Sequence, residues 1–178
     1  MTKWASRGLS GSALEEMINY TNEEYRKTKL ALIQKIPTPI TPVEFDNTTR
    51  HITLAYFDQQ STVDYIGSVQ GVPVCFDAKE CELDAFPLRN VHEHQVEFMR
   101  QMEEQDGVSF LLLYFVKHGR AFYLPFRHFL VFWERMLRGG RKSFRIEELD
   151  TAYELPIRNG LYIWYLDALQ KDLESRSE

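Results

Sequence analysis

The sequence predicts an α/β domain built around a small mixed sheet, and three observations carry that reading. Segments of helical period alternate with short apolar or β-branched runs. Residues 108–116 are apolar on both faces, as a central strand is. The 178 residues are 44% hydrophobic and 26% charged, ordinary for one soluble domain with its own core.

Taken in order, residues 8–12 read as a loop feeding a helix. Ser12-Ala13-Leu14-Glu15 has the capping-box form, and Leu14, Met17, Ile18, Thr21 and Tyr25 then form one apolar stripe to about Lys27. A strand is expected over 30–36, because it is short and stops at Pro37. Pro37, Pro39 and Pro42 punctuate the next stretch, and 45–57 is polar and β-branched with no core pattern, a loop or an extended arm. Residues 61–82 predict a β-hairpin: a strand over 62–69, a turn at Gln70-Gly71, and a return strand over 72–80 with Pro73 near its start. Residues 91–104 suit a helix ended by Gly107. The central strand 108–116 turns at 117–120 into 121–124. An aromatic-rich helix is expected over 126–137, broken at Gly139-Gly140, and a last helix over 161–173. There is no internal repeat, and the whole of 1–178 reads as one domain.

Several function classes are excluded or disfavoured. No apolar run approaches the ~20 residues that span a bilayer, and the N-terminus lacks a signal-peptide core. Cys75 and Cys81 match neither a zinc motif nor a disulfide framework, so reduced thiols and a cytoplasmic location are expected. There is no glycine-rich phosphate loop and no serine elbow. The net charge is −5, yet 77–106 holds nine acids against three bases, so the remainder sums to +1. Arg135, Arg138, Arg141, Lys142 and Arg145 form a basic cluster, and counterion release from a polyanion needs a local basic surface rather than a basic protein. A solvated surface loop explains that cluster equally well.

The chemistry centres on Asp64 and Asp77-Ala78-Lys79. Strand side chains alternate, so Asp77 and Lys79 share a face while Phe76 and Ala78 take the other. A turn at Gln70-Gly71 brings Asp64 level with Asp77. Two adjacent carboxylates repel unless a cation lies between them, and Mg²⁺ prefers such hard oxygen ligands. A neighbouring ammonium can stabilise charge that builds on a phosphate oxygen. Taken alone, an exposed cross-strand ion pair is the commoner origin of such a pattern.

Five blocks in order give the pattern its meaning: Lys35-Ile36-Pro37-Thr38-Pro39, Ser61-Thr62-Val63-Asp64-Tyr65, Phe76-Asp77-Ala78-Lys79-Glu80, Phe86-Pro87-Leu88 with His94-Gln95, and Gly140-Arg141-Lys142-Ser143. Together, from about Arg7-Gly8 to the last helix, they resemble the RecU family of Holliday junction resolvases, within the PD-(D/E)xK nucleases. The resemblance implies a restriction-endonuclease-like core, a central mixed sheet flanked by helices, with 37–60 as a protruding stalk that enters a four-way junction. It implies Asp64, Asp77 and Lys79 as catalytic residues and Thr62, Asp64, Asp77 and Gln95 as the metal site. Glu15 is a further candidate, although a capping-box role serves it equally. Lys35, Arg50, Arg141 and Lys142 are implied phosphate contacts, with His51 beside them on the stalk.

The implied activity is Mg²⁺-dependent hydrolysis, with Mn²⁺ able to substitute, by a homodimer that makes paired symmetric nicks leaving 5′-phosphates. Branched DNA is the implied partner, and a recombinase a further one. Asp77 stands where the relatives carry glutamate, a carboxylate one methylene shorter, and the segment between Arg7-Gly8 and Leu14 is a few residues longer than the pattern. Two alternatives stay open: a nuclease for other branched or duplex DNA, and a non-catalytic junction-binding or recombinase-modulating protein. His92-Glu93-His94 fits a polar helix start better than a zinc site, since residues two apart do not share a helical face. Phe129, Phe132 and Trp133 fit core packing better than base stacking. Cys75 fits a small buried thiol.

Overall fold

The computed structural model describes residues 12–57 and 62–176. Arg7-Gly8, the remainder of the 8–11 loop, residues 58–60 of the stalk and Ser61 lie outside the described residues. The elements run α1 (Ala13–Lys27), β1 (Ala31–Lys35), β2 (Ile40–Asp46), β3 (His51–Phe57), β4 (Tyr65–Val69), β5 (Val72–Cys81), β6 (Ala85–Pro87), α2 (Glu93–Glu104), β7 (Val108–Phe115), β8 (Arg120–Pro125), α3 (Phe126–Leu137), β9 (Ser143–Arg145), β10 (Glu154–Leu155), β11 (Ile157–Arg158), β12 (Tyr162–Ile163) and α4 (Leu166–Glu174). Six strands form the central sheet in the order β1-β4-β5-β7-β8-β10. Only β5 and β7 run parallel, so the sheet is mixed, as expected.

Each sheet face carries its own core. Val74, Phe76, Phe110, Leu112 and Tyr123 pack with Leu14, Met17, Ile18 and Tyr25 of α1 and Ala168 and Leu169 of α4. Cys75, Cys81, Leu111, Leu113 and Phe115 face the other way, onto Val96 and Met99 of α2 and Phe129 and Trp133 of α3. This two-sided burial explains why 108–115 is apolar throughout. It also settles the Phe129 and Trp133 question in favour of packing.

The turn between β4 and β5 is the predicted Gln70-Gly71. Both residues have positive φ, +48° and +90°, which closes a two-residue hairpin in keeping with strand twist. Tyr65 pairs with Phe76 across it. Tyr65, Phe76, Phe110 and Tyr123 then stack in a row across β4, β5, β7 and β8, with ring centroids 4.7, 4.6 and 4.3 Å apart. A one-residue slip of β4 would turn Tyr65 out of this row and into the opposite face, so the rings hold the register.

Parallel β5 and β7 require a crossover, and α2 supplies it. Its first turn therefore lies near the C-terminal half of β5, on the face shared by Cys75 and Asp77. Asp172, fully buried on α4, accepts the Tyr123 hydroxyl at 2.7 Å and pairs with Arg127 and Arg176. Arg176 also binds Glu103 at 2.6 Å, fastening the end of α4 to α2.

One open choice closes and two expectations change. Of the loop or extended arm expected after Pro37, the structure holds the arm: β2 and β3 form a two-stranded antiparallel ribbon from Ile40 to Phe57. Its turn is stabilised by Asp46, whose carboxylate accepts the Thr48 N–H at 2.8 Å and the Thr49 hydroxyl at 2.6 Å. Its exposed Val43, Phe45, Ile52, Leu54 and Tyr56 face no core, which is why no burial period shows in its sequence. The last helix begins at Leu166, not 161, because Asn159-Gly160, with φ of +54° and +64°, turns β11 into β12. And β4 begins at Tyr65 rather than 62, although the Asp64 carbonyl still accepts the Ile36 N–H at 2.8 Å and extends the β1 pairing.

Gly67 of β4 lies directly opposite Ile33 of β1. A Cβ there would meet the Leu32 carbonyl oxygen at 2.1 Å and Ile33 Cα at 2.8 Å, both backbone atoms. Gly67→Ala is therefore expected to destabilise the protein by about 1–3 kcal/mol through overpacking. Urea unfolding checks this, and a loss under about 0.5 kcal/mol, the range of ordinary surface changes, would show that the contact yields.

Candidate active site

Asp64 and Asp77 sit level across the β4–β5 hairpin, one residue beyond the Tyr65–Phe76 pair. They are tied by two reciprocal hydrogen bonds. The Asp64 N–H donates to Asp77 Oδ1 at 3.1 Å, and the Ala78 N–H donates to Asp64 Oδ2 at 2.9 Å. The Asp77 carboxylate thus rests on the backbone of Asp64 itself and the Asp64 carboxylate on the residue after Asp77, and the pair moves only if the strands do. Neither backbone donor has a sequence signature; the register alone makes them.

Lys79, two residues along β5 from Asp77, points to the same face. Its ammonium pairs with Asp77 Oδ2 and stands 3.8 Å from Asp64 Oδ2. From α2, Gln95 donates Nε2–H to Asp77 Oδ1 at 2.9 Å, while its Oε1 accepts the His92 N–H at 3.0 Å. Asp77 is fully buried and Gln95 nearly so, while Asp64 and Lys79 are half-buried. Four of the expected residues are thereby brought together.

Others lie apart. Thr62 is exposed and outside β4, with no hydrogen bond to either carboxylate. Glu15 binds Lys35 at 2.8 Å, an exposed pair that links α1 to β1. Ser12 Oγ accepts the Glu15 N–H at 3.3 Å, so half of the expected capping box forms. A longer-range cap, absent from the sequence reading, is Glu80, whose carboxylate accepts the Leu14 N–H at 2.6 Å. Arg50 is exposed at the stalk turn, with φ of +59°. Arg141 pairs with Glu148, which Arg135 also contacts at 3.0 Å, so the basic cluster is partly neutralised from within. Lys142 is exposed. The His92 and His94 rings stack at 5.5 Å. Among the described residues no three histidine, cysteine, aspartate or glutamate side chains gather around one point. Cys75 is buried against Ser109 Oγ at 3.3 Å, and burial pushes its thiol up to about 12, so it is inert.

The electrostatics of Asp77 stand out. Burial raises its carboxyl from 3.8 to about 7; Lys79 opposes this, and the nearby Asp64 charge adds to it. Its Oδ1 accepts two N–H groups, and Oδ2 rests against the Lys79 ammonium. Two carboxylates against one ammonium leave an uncompensated negative charge. A buried carboxylate held by one ammonium, next to a second carboxylate, has the hard oxygen donors that a divalent cation retaining several waters prefers. The residues present therefore fit such a cation, which Asp77 and Asp64 could hold.

Known proteins resemble this chain along most of its length. The model of the RecU family, described as recombination protein U, matches residues 9–171. A Holliday junction resolvase RecU of Lactiplantibacillus plantarum is 39% identical over 96% of this chain and 84% of its own length. Another, from Listeria monocytogenes serotype 4a, is 38% identical over 92% of this chain and 84% of its own length. A third, from a Geobacillus strain, is 40% identical over 80% and 73%. The solved structure of Hjc, a Holliday junction resolvase of Archaeoglobus fulgidus, superposes with a TM-score of 0.44 at 10% identity over 89% of this chain and 95% of its own.

A raised carboxyl pKa makes a stability prediction whose sign is fixed. Asp77 holds its proton more tightly folded than unfolded, so its contribution is complete below about pH 4 and lost as pH rises through about 7. In EDTA, the wild-type unfolding free energy relative to that of Asp77→Asn is expected to decline across that window. Urea unfolding at several pH values measures the difference, and a difference independent of pH would contradict the burial argument.

Proposed function

This chain belongs to the RecU family, and on that premise we propose that it is a structure-specific, Mg²⁺-dependent DNA endonuclease resolving four-way junctions by paired symmetric nicks. The observation that carries the reading is the convergence of Asp64, Asp77, Lys79 and Gln95 on one half-buried patch, two carboxylates against one ammonium. The shorter Asp77 reaches this arrangement without the extra methylene of glutamate.

When bound, Mg²⁺ supplies a nucleophile from its water and a positive charge at the phosphate. Asp64 and Asp77 would hold it, and their hairpin fixes their spacing. Lys79 stands beside both carboxylates, where its ammonium would neutralise charge building on the phosphate oxygen. Gln95 keeps Asp77 in place from the second element. Because Asp77 is buried and its neighbours partly so, the exchange takes place where water screens little and each charge counts for more.

The substrate is gripped elsewhere. The ribbon 40–57 stands out from the sheet as the stalk of an inserted 37–60 segment, with Arg50 at its turn. Lys35 at its base and Arg141 and Lys142 on the flank meet phosphates, Lys35 by exchanging Glu15 for the DNA. That exposed pair is worth little in water, so the exchange is inexpensive. A homodimer sets two such sites about a twofold axis, matching a junction of near-twofold symmetry. A recombinase is a further candidate partner, and none of the helices is long and apolar enough to cross a membrane among the described residues.

Cleavage of a labelled four-way junction beside matched linear duplex, in Mg²⁺ or EDTA, tests the reading. Paired nicks at symmetric positions are expected on the junction only, in Mg²⁺ only, and slower by about 100-fold or more in Asp77→Asn and Lys79→Ala. Equal cutting of linear duplex would make the protein a general nuclease. Tight junction binding without cutting in Mg²⁺ or Mn²⁺ would leave a binding protein.

A further inference from the structure

The loop after α3 holds its basic residues in fixed directions. Gly139, at φ +84°, ends the helix, and the Gly140 N–H closes back on the Arg135 carbonyl at 2.9 Å. A Cβ at Gly140 would meet the Arg135 carbonyl oxygen at 2.7 Å and Arg135 Cγ at 2.9 Å, so glycine is what lets the chain fold back there. Next, β9 pairs with β6, the Lys142 carbonyl accepts the Leu88 N–H at 3.0 Å, and the Phe144 ring stacks with those of Phe86 and Phe132. The loop is thereby fastened to the segment that leads into α2, whose first turn reaches Asp77.

Glu148 ties the loop together. Its carboxylate accepts the Arg145 N–H at 2.7 Å and pairs with Arg135 at 3.0 Å and with Arg141. The Ser143 carbonyl accepts Arg141 Nε–H at 3.1 Å and Arg135 Nη2–H at 2.8 Å. Arg141 thus turns one edge of its guanidinium, Nε–H and one Nη2–H, onto the protein. The other edge, one N–H from each terminal nitrogen, has the fork geometry that matches two oxygens of a phosphate. Arg141 is 46% exposed against 27% for Glu148, so this second edge is the outer one. Residues 134–148 hold five bases and three acids, a local +2 that favours an anion despite Glu148.

We propose that Glu148 is a positioning residue for DNA: it holds Arg141 so that the outer edge of the guanidinium grips a backbone phosphate beside the active site. The inference deepens the endonuclease reading above and rests on it. A carboxylate, which by itself repels a phosphate, here strengthens DNA binding through the arginine it fixes. A free arginine loses rotamer freedom when it binds, and one held in advance has already lost it. Arg135, laid over the Phe132 ring at 5.3 Å, and the Arg145 N–H keep Glu148 itself from turning away.

Affinity for a labelled four-way junction in EDTA, where no cutting competes, separates this role from charge alone. Glu148→Gln removes the negative charge and the hold on Arg141 together. Charge alone predicts equal or tighter binding, whereas positioning predicts binding weaker by about three- to tenfold. In an Arg141→Ala background that loss is expected to vanish, since nothing remains to be positioned. Arg141→Lys keeps the charge but has no second edge, and is also expected to bind about three- to tenfold more weakly than wild type. This exposed substitution decides the matter if Glu148→Gln does not fold.

Binding by Glu148→Gln or Arg141→Lys at or above wild-type strength, or an equal loss from Glu148→Gln with and without Arg141, overturns this inference. Wild type that still binds junctions and cuts them in Mg²⁺ then leaves the nuclease standing. A wild type that neither binds nor cuts junctions overturns both.

Discussion

The pairing register of β4 on β5 is the constraint from which the site follows. With Tyr65 opposite Phe76, Asp64 falls opposite Asp77, and each carboxylate accepts a backbone N–H beside the other. The register is held from below by the row of rings Tyr65, Phe76, Phe110 and Tyr123, and at the turn by Gln70-Gly71 with positive φ at both positions. Shifting it by one residue would put the second carboxylate into the α1–α4 core and the aromatic ring onto the site face. The apolar packing on one face of β5 thus sets the chemistry on the other.

That chemistry is electrostatically unbalanced in the protein alone. A buried carboxyl, a half-buried one and a single ammonium share a small volume, and Asp77 responds by holding its proton up to about pH 7. One ammonium is shared between two carboxylates, so one negative charge is left over. A divalent cation would relieve that imbalance. Asp172, also buried, is met differently: with Glu103 it faces Arg127 and Arg176, two acids against two bases. This contrast separates the site from that cluster better than net charge does. At −5 overall the chain looks unsuited to DNA, yet Lys35, Arg50, Arg141 and Lys142 lie on exposed positions, Lys35 and Arg141 in pairs with the surface carboxylates of Glu15 and Glu148.

Much of this was legible before any coordinates. The Gln70-Gly71 turn and strict alternation placed Asp64, Asp77 and Lys79 on one patch, because period and turn chemistry are local rules. The α1 stripe Leu14, Met17, Ile18, Thr21 and Tyr25 is buried as its spacing required, and α3 occupies the predicted residues. What was hidden depends on long-range pairing. The stalk ribbon buries neither face, so burial periodicity was silent, and its strands are pinned by their own turn. Asn159-Gly160 carried a hairpin signal that the apolar residues after it, read as a helix, obscured; Tyr162–Ile163 pairs instead with Ile157–Arg158. The Glu80 cap on α1 joins residues 66 positions apart and has no local trace. Gln95 was placed at the site by resemblance, but the orientation of its amide depends on where His92 ends up in space.

The most direct measurement is the titration of the Asp77 side-chain carboxyl by carbon-13 NMR, in EDTA and in saturating Mg²⁺. Without metal the midpoint is expected near about 7, and Mg²⁺ is expected to bring it down to or below the usual aspartate value of about 3.9. A midpoint already near about 3.9 in EDTA, and unmoved by Mg²⁺, would mean that Asp77 is an ordinary paired carboxylate and that the hairpin does not build a cation site.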